Sequence, residues 1–155
     1  KQDPERMVEF IKKALESNPN HPRSLEMYSI QLQREGEFDQ AIEVVKRAME
    51  IDPVSRGELE SWLAFCHIEK KDWANASISI DRCIETAPHD RLFGFKAAVL
   101  DSDGQIEQSK IWLAKYQKAR PEIKTLEDYR KVVPEMNEFL KENLIEGIKL
   151  AGLPE

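Results

Sequence analysis

The sequence predicts an all-α fold, a superhelix of stacked helical hairpins, and three observations predict it. Prolines fall at Pro19, Pro53, Pro88 and Pro121, at intervals of 34, 35 and 33 residues. Residues without bulk keep the same period. Ala14, Ala48 and Cys83 each stand five residues before their proline, and Ala41, Ala76 and Ser109 each stand twelve before. Between these marks apolar residues recur at spacings of three and four, the pattern of amphipathic helices. A fixed period near 34 with small residues in constant register means that two helix backbones approach closely in every unit.

The elements follow in chain order. In residues 1–21, Asp3-Pro4-Glu5 reads as a helix start with Asp3 as N-cap and Pro4 in the first turn. Phe10, Ile11, Ala14 and Leu15 make that helix the second half of an interrupted unit. Residues 22–55 place Leu25, Tyr28, Ser29 and Leu32 on one face; Gly36 turns the chain, and Ala41, Ile42, Val45, Ala48 and Met49 carry a second helix. Asp52-Pro53 stops it, since proline disfavours helical backbone in the residue before it. Residues 56–89 repeat the design with Leu59, Trp62, Leu63 and Cys66 or His67, then Ala76, Ile80, Cys83 and Ile84. Residues 90–122 repeat it again with Phe93, Ala97 and Leu100, then Ser109, Leu113 and Tyr116.

The last stretch, 123–155, does not repeat. Thr125 with Asp128 three places on approximates a capping box and opens a short helix ending near Val133-Pro134. Met136, Phe139, Leu140, Leu144 and Ile148 form the stripe of a longer helix, which Gly152 and Pro154 end. Terminal repeats need a cap, because each unit otherwise leaves an apolar side bare; these helices supply it. All of 1–155 reads as a single domain.

These residues resemble the tetratricopeptide repeat family. The closest fit to its consensus is residues 22–55, through Leu25, Tyr28-Ser29, Gly36, Phe38, Ala41, Ala48 and Pro53. The second unit departs, with Lys71 at the turn glycine and His67 at the aromatic place, and the third puts Ser109 and Tyr116 where two alanines are expected. The resemblance implies a right-handed α-α superhelix with C-terminal capping helices that binds proteins or peptides without catalysis. The tail from Leu144 to Glu155 is also similar to repeat modules appended to bacterial class III nucleotide cyclases and winged-helix regulators. That likeness implies an alternative: a C-terminal regulatory or dimerising segment of a longer bacterial signalling protein, such as an adenylate cyclase or a transcriptional regulator.

Composition narrows the partners. With 23 Lys+Arg against 29 Asp+Glu and a net charge of −6, the chain lacks the clustered basic surface that counterion release on nucleic acid or anionic membrane requires. The apolar run Trp62-Leu63-Ala64-Phe65-Cys66 is far short of the roughly 20 residues that cross a bilayer. Cys66 and Cys83 have neither the spacing nor the density of a secreted disulfide scaffold and read as reduced core residues. The opening residues lack the basic flank and apolar stretch of a signal peptide. The expectation is a cytoplasmic protein or peptide binder, with no direct nucleic-acid or membrane binding and with a homodimer open.

Chemistry finds no foothold in the sequence. His21, His67 and His89 have no carboxylate or thiol at a metal-ligand spacing, so no metal or other cofactor is expected. Asp101-Ser102-Asp103-Gly104 resembles part of a calcium loop, but Lys110 stands at the closing glutamate place, so it reads as a turn. Asn75-Ala76-Ser77 fits a glycosylation pattern and more simply marks a helix start. No phosphate loop or nucleophile elbow is present, and no catalytic residue is assigned.

The functional surface is then the inner face of the curve, lined by the first helix of each unit. Helical spacing puts Arg23, Glu26, Ile30 and Arg34 there from the first unit, Ser61, Phe65 and Glu69 from the second, and Arg91, Gly94 and Ala98 from the third. The partner-binding residues expected are Arg23, Glu26, Ile30, Arg34, Phe65, Glu69 and Arg91. Ile30 and Phe65 offer an apolar floor, with Arg23 and Arg91 steering acidic groups. The same two apolar side chains fit equally well beneath the chain's own C-terminal helix. Trp62, Trp73 and Trp112 fall on packing faces and read as core.

Overall fold

The computed structural model describes residues 4–133 and 138–155. Among these, the chain forms α1 (Pro4–Ser17), α2 (Pro22–Arg34), α3 (Phe38–Ile51), α4 (Arg56–Glu69), α5 (Trp73–Thr86), α6 (Arg91–Ser102), α7 (Ile106–Ala119), α8 (Leu126–Val132) and α9 (Glu138–Leu150). The cap expected from Asp3, along with Pro134 and Met136, lies outside the described residues, as does the side chain of Phe139. Helices α2–α3, α4–α5 and α6–α7 are three antiparallel hairpins that stack through α3 on α4 and α5 on α6, and α1 packs on α2. The result is the right-handed α-α superhelix with C-terminal capping helices that the family resemblance implies.

All three hairpin turns close in one way. The residue at the turn has positive φ: Gly36 at 80°, Lys71 at 57° and Gly104 at 78°. Behind each, the next amide donates to a carbonyl five residues earlier, Glu37 to Leu32 at 2.9 Å, Asp72 to His67 at 2.8 Å and Gln105 to Leu100 at 2.8 Å. This closure satisfies carbonyls left orphaned at the helix end. Left-handed backbone costs a residue with a Cβ about 1–2 kcal/mol, so at Lys71 the hairpin packing imposes a conformation that the residue does not favour.

Side chains cap the starts of α2, α5 and α8. His21 Nδ1 accepts from the Ser24 amide at 3.2 Å, with Pro22 at the first helical position of α2. Asp72 accepts from the Asn75 amide at 3.4 Å, which puts Asn75 in the first turn of α5. At α8, Thr125 Oγ1 accepts from the Asp128 amide at 3.3 Å while Asp128 Oδ2 accepts from the Thr125 amide at 3.1 Å, a complete capping box.

Two apolar clusters fill the interior. One joins units one and two through Leu25, Leu32, Val45, Leu59 and Leu63. The other joins unit two, unit three and the capping helices through Phe65, Phe95, Tyr116, Leu144 and Ile148, and Trp62 packs against both. Tyr116, where a small residue is expected, fits because Gly94 stands opposite: a Cβ on Gly94 would lie 3.2 Å from the Tyr116 ring. The ring then meets Tyr129 of α8 edge to face at 5.9 Å.

Lys96 and Glu60 are the most deeply buried charged side chains among the described residues. Lys96 on α6 donates to the Ser77 carbonyl at 3.0 Å, the Ser77 hydroxyl at 2.6 Å and Asp81 Oδ2 at 2.7 Å, tying α6 to α5. Glu60 on α4 is 1% exposed. Its carboxylate has no hydrogen-bond partner and reaches Arg82 and Arg56 only at 3.6 and 3.7 Å.

Candidate functional site

The first helices α2, α4 and α6 form a row, and their inward residues are the expected site. On α2, Arg23 donates to Glu26 Oε2 at 2.6 Å, so the exposed guanidinium neutralises a carboxylate that is largely buried. Ile30 is half-buried, and Arg34 is exposed at the far end of the helix. On α4, Phe65 is 9% exposed and meets Trp62 at 5.9 Å and Phe95 at 6.0 Å, both edge to face. Glu69 is buried. On α6, Arg91 is exposed at the first position of the helix. Phe65 and Arg91 come together at one cavity, described below; Arg23, Glu26, Ile30 and Arg34 form a separate group on α2.

The second capping helix occupies part of this row. Helix α9 lies chiefly against α6 and also touches α4, with Leu140, Leu144, Ile145 and Ile148 buried in the same cluster as Phe65, Phe95 and Ala98. The crossing is close because Gly147 has no side chain. A Cβ there would lie 2.5 Å from the Ala98 carbonyl oxygen and 2.9 Å from its Cα. The chain is then locked after α9, where the Leu126 amide donates to the Pro154 carbonyl at 2.7 Å.

Between α4, α5 and α6 lies a cavity of about 150 Å³. Phe65, Ile68, Ile80, Leu92 and Phe95 line its apolar interior, with Ser61 and Cys83 on one side and His89 and Arg91 where it meets solvent. Cys83 Sγ donates to the Gly57 carbonyl at 3.0 Å and lies 2.9 Å from Ser61 Oγ. Burial pushes the Cys83 thiol above its ordinary pKa, so it stays protonated. Burial first, and Arg91 second, hold His89 below the ordinary histidine range, so at neutral pH its imidazole is uncharged. A second, polar cavity of about 290 Å³ lies at the start of α2, where His21, Arg23 and Glu26 face Asp52, Ser55 and Glu58.

The cavity residues Ile68, Ile80, Leu92 and Phe95 escaped sequence reasoning, since apolar residues at core spacing carry no mark of a void beside them. Among the described residues, no group of three His, Cys, Asp or Glu side chains is placed to hold a metal. Among them too, no helix is long and apolar enough to cross a membrane.

No protein-family model matches the chain, and no curated protein matches it. Its fold is similar to solved structures of MamA. The MamA RS-1 ArsTM double mutant shares 18% identity at a TM-score of 0.71, over 95% of this chain and 84% of that one. A crystal structure of MamA shares 19% identity at 0.66, over 91% and 82%, and a further MamA protein crystal structure shares 19% at 0.64, over 91% and 76%. At this identity the likeness shows the fold alone, a tetratricopeptide-like superhelix. None of the comparisons indicates a catalytic family.

Proposed function

We propose that the chain is a non-catalytic protein-interaction module that binds a peptide or helix of a partner on its inner face, through Arg23, Glu26, Ile30, Arg34, Phe65, Glu69 and Arg91. The observation that supports this reading is α9, an amphipathic helix of the chain itself seated on α6 and α4. A row of first helices that takes one helix through apolar contact and close backbone approach is built to take polypeptide. Helix α2 continues the row, with half-buried Ile30 between exposed Arg23 and Arg34. A cytoplasmic setting belongs to the proposal and is supported by the two unpaired cysteines, Cys66 and Cys83.

The test uses Ile30→Asp, because Phe65 is packed in the core and its replacement by aspartate would unfold the array. A polypeptide partner retained by the wild-type chain with micromolar affinity, and released by Ile30→Asp at unchanged circular dichroism, is the expected result. Equal retention by both refutes it. The likeness of residues 144–155 to modules of bacterial signalling proteins supports a second reading, in which the segment regulates or dimerises a longer cyclase or transcription factor. Sedimentation as a monomer at tens of micromolar would count against the dimerising form.

A further inference from the structure

We propose that the cavity between α4, α5 and α6, on the interaction-module reading above, receives one aromatic or branched aliphatic side chain of the partner polypeptide, while an adjacent acidic residue of that partner meets Arg91. The interior asks for an apolar occupant. Its polar atoms are already engaged with one another, since Cys83 Sγ donates to the Gly57 carbonyl and contacts Ser61 Oγ. No buried donor or acceptor there lacks a hydrogen-bond partner among the described atoms. A polar ligand would lose its hydration without replacement.

Size sets the occupant next. A volume of about 150 Å³ is that of a cavity that accepts benzene, and falls below the roughly 300–1,000 Å³ of sites for drug-sized molecules. One ring or one branched aliphatic group fills it. The solvent edge supplies the charge preference. Arg91 is exposed and forms no ion pair with any described residue, because the neighbouring Asp90 carboxylate faces Arg120 at 3.6 Å. With His89 neutral, the guanidinium is an uncompensated cation beside an apolar hole, and a carboxylate is its complement. Around that single cation the wall offers Phe65 and Phe95, and the row of first helices runs on toward α2. The fitting segment therefore passes along the wall with an internal acidic side chain and need not end in the cavity.

The experiment uses the full chain and hexapeptides blocked at both ends, carrying phenylalanine or leucine followed by aspartate. Fluorescence anisotropy measures affinity, and NMR of Ile and Leu methyl groups locates the contact. Expected are shifts at Ile68, Ile80 and Leu92, and affinity lower by about tenfold for the asparagine peptide or for Arg91→Ala. Replacing the anchor by alanine should weaken binding by about thirtyfold or more. Arg91→Ala lies on the surface and keeps the fold; Ala64 also lines the cavity, and Ala64→Val, which narrows it, should reduce the methyl shifts and the affinity together. Binding that moves only Ile30 overturns the anchor and leaves the interaction module standing. Binding that requires a free peptide C-terminus overturns the internal acid, and absence of peptide binding overturns the proposal altogether.

Discussion

Replacing Gly147 by alanine tests the seating of α9 directly. In an isolated helix the change is favourable by about 1 kcal/mol, because alanine loses less backbone entropy than glycine. Here the new methyl would stand 2.5 Å from the Ala98 oxygen and 2.9 Å from its carbonyl carbon and Cα. Carbon atoms in ordinary contact are about 3.5–4.0 Å apart, so α9 must retreat by about 0.6 Å or more, and a gap of about 0.5–1 Å forfeits a quarter to a half of the dispersion contact along the crossing. The obstacle is main chain, which cannot rotate aside, so the overpacking cost falls at the upper end of its usual range, about 3 kcal/mol. Net destabilisation is about 2 kcal/mol. Urea denaturation followed by circular dichroism should then show a midpoint lower by about 1 M at unchanged slope. Ala98→Gly should not rescue the variant, because the atoms struck belong to the backbone of residue 98. A Gly147→Ala protein more stable than wild type by about 1 kcal/mol, as helix propensity alone dictates, would refute the close crossing.

One further substitution and one reagent probe the interior. Glu60 stands eleven residues before the turn at Lys71, as Leu25 stands before Gly36 and Phe93 before Gly104; Glu60→Leu should stabilise the fold by about 1–3 kcal/mol, since the buried carboxylate lacks hydrogen bonds and both arginines beside it are more than half exposed. Thermal melting checks this, and a lowered midpoint would show that the carboxylate organises its surroundings. The Cys66 thiol is pushed up to about 12 by burial, with Glu69 adding to it, and Cys83 is raised as well. Neither should react with a thiol-specific reagent at pH 8 until urea unfolds the chain; stoichiometric labelling of the native protein would contradict the burial of both.

The hairpins were legible because their marks are local. A proline after the second helix, a small residue where backbones meet and a turn residue with positive φ each follow from sterics within one unit. Lys71 was the hard case: its sequence does not ask for left-handed backbone, and the stacking of α4 on α5 supplies the reason. Tyr116 was legible only in part, because the residue that makes room for it, Gly94, lies on the facing helix. The capping helices were legible as helices, but an apolar stripe does not say which wall it faces. The signal that α9 turns inward was Gly147 among the apolar residues of an amphipathic helix, which gains meaning only when Ala98 is known to lie opposite. The same limit hides the cavity beside Phe65, since a void is a property of several elements at once.

The seating of α9 changes how the array comes apart. A linear stack joined only to its neighbours unravels a unit at a time from either end, its stability being a sum of repeat and interface terms. Here a helix from the end of the chain reaches across α6 to α4, so the last two hairpins cannot peel away without first losing their strap. Hydrogen exchange in α4, α6 and α9 should therefore follow one shared opening, with the hairpin of α2 and α3 free to fray on its own. The molecule is an open spiral at one end and a clasped block at the other.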